Sequence, residues 1–216
     1  MVVVVDSYGY NFPAIRGVQA GREFYVSQCP LHVIPKIFQF DEADLPPEVR
    51  AQRVLNKGRL PEIANYILTN RDTYVFSAIT ASIDGDVEFV PIEDSSGGRR
   101  IGNLHVPMTA RFLINDGQHR RGAIELALQQ DPSLRDETIA VVFFLDRGLD
   151  RSQQMFADLN RYAVRPSTSL GVLYDHRDPL AAVVRQCVQE SPLLRDVVEP
   201  EKTTDRKSTR LNSSHS

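Results

Sequence analysis

The chain has 216 residues, 25% of them charged and 42% hydrophobic, an ordinary balance for a folded globular protein. A formal net charge of −3 excludes a globally basic nucleic-acid binder, so any DNA contact must come from a local basic patch. Cys29 and Cys187 are far apart and in no metal-ligand spacing, which argues against a zinc site or a disulfide framework and makes a reducing cytoplasm the expected compartment.

In chain order, Met1 to Val5 lacks the basic flank and cleavage site of a secretory signal, and no apolar run approaches the roughly 20 residues of a membrane span. Phe12 to Val18 and Glu23 to Cys29 are rich in β-formers and separated by a Gly-containing turn, which predicts an N-terminal hairpin. Pro30 to Phe40 is apolar but broken by Pro35, so an irregular connection or short strand is expected, followed by an acidic linker over Asp41 to Pro47. Apolar residues at helical spacing run through Val49 to Leu68, and Pro61 is expected to open a helix ending near Thr69. Tyr74 to Ile83, then Asp84-Gly85, then Asp86 to Ile92 predict a second hairpin. A loop over Glu93 to Arg100 leads to strands at Leu104 to Val106 and Ala110 to Ile114. A helix is expected over Gln118 to Gln130, a buried strand over Ile139 to Leu145 and a helix over Asp150 to Leu159. Further helices are expected at Pro179 to Val188 and Pro192 to Val198. Strand–helix–strand–helix from Arg111 to Asn160 suggests an α/β core.

The tail from Asp205 to His215, DRKSTRLNSSH, has no hydrophobic periodicity and equals the translation of a common sequencing-adapter oligonucleotide. Residues 205–216 are therefore expected to be non-native, leaving one C-terminally truncated domain over residues 8–204.

The main candidate site is Asn115 to Ala123. Gly117 lets the chain turn and exposes amides, and Arg120 or Arg121 at the start of a helix could grip phosphate bidentately. Asp116 could ligate a metal or a hydroxyl, or act as a catalytic carboxylate, while Gln118 and His119 could bond a base or ribose. The alternative is an Asp-Gly turn that caps a helix, with solvated arginines. A second polar cluster, Asp158, Asn160 and Arg161, gathers at a helix end before Pro166. Arg50, Arg53, Lys57 and Arg59 form a small basic face, either solvated or in contact with DNA phosphates. His32 and His105 read as packed or edge residues, and Cys29 and Cys187 as buried thiols.

Asp116-Gly117-Gln118-His119-Arg120 is the signature that gives the DGQHR domain its name, and Phe156 to Asn160 resembles that domain's second motif. Phe12 to Tyr25, Arg53 to Lys57 and Phe76 to Ile83 resemble the DNA sulfur modification proteins of the DndB family, a likeness running over residues 8–204. Gly117 to Ala123 is distantly similar to the phosphate-binding GERRxRA motif of ParB proteins, and Asn160-Arg161 with Pro166 to their second triphosphate-contacting segment. Gln118-His119 stands where ParB has Glu-Arg.

The resemblance implies a ParB/sulfiredoxin-like mixed sheet flanked by helices, an α/β (α+β) fold with an N-terminal hairpin region. It implies a cytoplasmic, DNA-binding negative regulator of a bacterial phosphorothioation gene cluster, acting on the operator of that cluster. Gly117, Gln118, His119, Arg120, Arg121, Asn160 and Arg161 would then hold the phosphate of DNA or of a nucleotide. The alternatives are a ParB-like nucleoside triphosphatase that binds Mg²⁺ through Asp116, and a non-catalytic partner subunit of the modification complex, monomeric or oligomeric.

Overall fold

The computed structural model describes residues 8–38, 57–93, 98–147, 151–161, 174 and 176–195, with only the backbone described at 57, 153 and 160. The chain divides into two compact units, Met1–Tyr162 and Ala163–Ser216.

The first unit is built on a seven-stranded mixed sheet. β1 (Gly9–Gln19) and β2 (Arg22–Pro30) form the expected N-terminal hairpin through a tight turn at Ala20 and Gly21, both with positive φ. β3 is Ile79–Asp84, β4 Glu88–Pro91, β5 Ile101–Pro107, β6 Arg111–Asp116 and β7 Thr138–Leu145. The order is β4-β5-β1-β2-β7-β3-β6, and every pairing is antiparallel except β3 with β7. β7 lies in the interior between β2 and β3, which explains its near-continuous run of apolar residues.

The hairpin expected across Asp84-Gly85 does not form. β3 and β4 flank that turn in sequence, yet β4 lies at one edge of the sheet and β3 is next to the other. Both sides of β3 are already taken, by β7 and β6. Gly85 instead lies against Ala110, where an added Cβ would come within 2.6 Å of the Ala110 methyl carbon. Packing against a distant strand overrides the local turn signal.

One face of the sheet carries the core. Phe12, Tyr25, Cys29, Ile79, Ala81, Ile83, Leu104, Val141 and Phe143 point to one side and pack with helical residues in a single cluster. Phe112 of β6 meets Tyr10 and Phe12 of β1 at centroid distances of 5.9 and 6.4 Å. These strands are four places apart in the sheet, so the sheet curls around its own aromatic core.

Three helices cover this face: α1 (Ile34–Ile37), α2 (Leu60–Thr69) and α3 (Gln118–Gln130). In place of the irregular connection or strand expected after Pro30, α1 is one helical turn, and Pro35 sits in its first turn where a missing N–H costs nothing. α2 starts at Leu60 with Pro61 in its first turn and ends at Thr69, as expected. α2 and α3 pack closely at Gly122, where a Cβ would meet the Leu60 methyls at 3.1–3.2 Å. α4 (Ser152–Arg161) packs against β6, on whose reverse face Leu113 is buried together with Ser82 of β3.

In the second unit, α5 (Pro179–Glu190) is capped by the Asp178 carboxylate, which accepts from the Leu180 amide at 2.8 Å, and α6 is Pro192–Arg195. Cys187 is exposed, against the expectation of a core thiol. It lies three and four residues from Val184 and Val183, both also exposed, on a stripe of which only Ala181 is buried. Cys29 is buried as expected. Among the described residues, no helix is long and apolar enough to cross a membrane.

Candidate functional site

The 115–121 motif lies where β6 leaves the sheet. Register in the β3–β6 ladder jumps from Thr80–Asp116 to Ala81–Ile114, so Asn115 is an extra residue, a β-bulge. Its Nδ2 donates to Ser82 Oγ at 2.8 Å, and the residue is fully buried. The bulge turns the end of the strand and aims Asp116 and Gly117 toward the start of α3.

Gly117 has φ +110° and is the N-cap of α3. A Cβ there would lie 2.9 Å from Ile79 Cγ1 and 3.1 Å from Arg120 Nη2. Glycine is needed twice over, for a left-handed backbone and for the guanidinium that folds back across it. Arg120 Nη2 donates to Asp116 Oδ2 at 2.7 Å and to the Ala78 carbonyl at 3.1 Å. Arg121 Nη1 pairs with Glu125 Oε2 at 2.6 Å, and its Nη2 donates to the Pro35 carbonyl at 3.4 Å. Both arginines are thus positioned by i,i+4 ion pairs, with side chains only 20% exposed.

No side chain caps the N-terminus of α3, whose first-turn amides carry the positive end of its dipole. Five enclosed side-chain polar atoms among the described residues have no hydrogen-bond partner, and four belong to this motif: Asn115 Oδ1, Gln118 Nε2, Arg120 Nε and Arg121 Nε. Buried polar atoms are nearly always paired, with protein or with ordered water, so four of them in one short motif mark a polar site. Three of the four are donors, which suits hydrogen-bond acceptors.

His119 is held below its ordinary pKa, first by burial and then by the positive charges of Arg59 and Arg120, with Asp116 opposing them. The same interaction places Arg59, exposed just before α2, within electrostatic reach of the motif. Of the other basic residues expected to share a face with it, Lys57 is in the turn before α2 and Arg50 and Arg53 lie outside the described residues. The second motif is on α4. Arg161 at its end is exposed, Asp158 accepts from Gln154 Nε2 at 2.7 Å, and only the backbone of Asn160 is described. The packing of α4 on β6 brings the helix of the second motif onto the strand that delivers the first. Among the described residues, no group of three or more His, Cys, Asp or Glu side chains is placed to hold a metal ion.

Sequence reading missed Glu125, although its spacing from Arg121 was a usable signal, and it missed the buried Asp146, whose carboxylate accepts from the Arg151 amide at 3.2–3.3 Å. Nothing in the local pattern marks Asp146, because the end of β7 becomes buried only through tertiary packing.

The candidate site can now be set beside known families. Residues 12–214 match the family model DndB, described as DNA-sulfur modification-associated. The chain belongs to the DndB family. No curated protein and no solved structure matches the chain.

Proposed function

We propose that this protein is a cytoplasmic, DNA-binding negative regulator of transcription of a phosphorothioation gene cluster. The 115–121 motif and Arg59 hold DNA backbone phosphate. The observation that carries this is the cluster of enclosed, unpartnered donors beside an uncapped helix N-terminus. Family membership supplies the link to DNA sulfur modification. The acidic balance of the whole chain limits DNA binding to this local patch.

The test is filter retention of DNA from upstream of the cluster over a series of salt concentrations. Arg59→Ala is expected to weaken binding and to reduce the log–log salt slope by about 1, the change that follows when one phosphate is no longer neutralised. If the wild-type chain shows no salt-sensitive binding to that DNA, the regulator assignment fails. Nucleoside triphosphate hydrolysis that disappears in Asp116→Ala and Arg120→Ala would assign the site to a triphosphatase instead.

A further inference from the structure

Beside the motif, on the α2 side, lies an open cleft of about 370 Å³. That volume falls in the range of small-ligand sites. Tyr66 and Phe76 supply its aromatic surface, Glu62 and Ser77 stand along it, and Arg120 of α3 is part of its lining. The aromatic surface is already fixed in place. Tyr66 Oη accepts from the Val75 amide at 2.9 Å, and the Phe76 ring lies 6.1 Å from Tyr66 and 5.8 Å from Tyr74. Rings held this way lose little freedom when a ligand stacks on them.

We propose that this cleft binds one unstacked nucleobase, guanine in preference to the others, next to the phosphate held at the start of α3. Flat aromatic rings suit the faces of a base. Guanine carries adjacent N1–H and N2–H donors that a carboxylate such as Glu62 accepts, and O6 and N7 acceptors that a guanidinium such as Arg120 donates to. Arg120 lines the cleft and spans Gly117, so it connects the base site to the phosphate site. The proposal extends the DNA-binding assignment with a second recognition element and rests on a separate measurement.

The base can come from a free nucleotide or from an extruded nucleotide of DNA, and two assays separate these sources. Calorimetric titration of the chain with the four deoxynucleoside monophosphates is expected to give saturable binding, tightest for deoxyguanosine monophosphate, with inorganic phosphate much weaker. Phe76→Ala is expected to weaken that binding by about ten-fold or more. Glu62→Gln, at an exposed position with little bearing on folding, is expected to remove the preference for guanine. A rise in fluorescence from 2-aminopurine placed beside the guanine of a duplex, which loses its stacking neighbour when the guanine is extruded, supports the proposal with DNA as the source. Mononucleotide binding without that rise supports it with a free nucleotide as the source. The proposal is overturned if no mononucleotide binds more tightly than inorganic phosphate, or if neither variant changes affinity or preference. Duplex retention that survives such a result leaves the regulator assignment standing.

Discussion

At the scale of single residues, the motif resolves into parts with separate duties. Asp116 and Arg120 pair across one helical turn, and Gly117 is the only residue type that fits beneath the guanidinium. Asp116 is 46% exposed and Arg120 20% exposed, so this pair adds modest energy; its value lies in setting the direction of the guanidinium. Gly117→Ala should cost about 1–3 kcal/mol, because it adds left-handed strain and a clash with Ile79. A lowered midpoint in thermal denaturation, with DNA affinity weakened at temperatures where the variant is folded, is the expected result. An unchanged midpoint would mean that the turn is not built as described.

At the scale of elements, the segment after α2 is tied to the start of β7 by side chains. Arg71 pairs with Asp131 and with Glu137, the latter at 3.1 Å, and the Tyr74 hydroxyl donates to Glu137. Burial, and then Glu137, push the Tyr74 phenol above its ordinary range. Asp131 also caps the short turn over Pro132–Asp136, accepting from the Ser133 amide at 3.0 Å. Tyr74→Phe leaves one Glu137 oxygen short of a donor and should cost about 1–2 kcal/mol. Arg147 also pairs with Asp86, but both side chains are more than 80% exposed. Arg147→Ala should therefore stay within about 0.5 kcal/mol of wild type. Urea denaturation of both variants checks the ordering, and equal losses would count against the network.

At the scale of the whole molecule, the two cysteines report on different environments. Cys29 is fully buried on β2, beside Ile139 of β7, and burial pushes its thiol up to about 11, the hydrogen bond to Ser27 opposing only in part. Cys187 is exposed on α5. Maleimide labelling at pH 8 should therefore modify Cys187 quickly in the native protein, and Cys29 only once the sheet opens. Mass spectrometry after a timed pulse distinguishes the sites, and rapid labelling of both would contradict the packing of β2 on β7.

What the sequence determined by itself is local. The N-terminal hairpin, α2, α3 and the apolar β7 follow from alternation, Pro placement and helical periodicity, all properties of neighbouring residues. The motif was legible as a unit at a strand-to-helix junction, but the pairings of Arg120 with Asp116 and of Arg121 with Glu125 were seen only in the structure. Tertiary structure decided the rest. It placed β3 between β6 and β7 and so cancelled a strong Asp-Gly hairpin signal. It brought α4 onto β6, set Arg59 within electrostatic reach of His119, and opened a cleft between α2 and the 75–77 segment that no spacing announces. The physical reason is that strand pairing and side-chain burial depend on residues far apart in the chain, whose free energies outweigh the few tenths to about one kcal/mol that local turn and helix preferences supply.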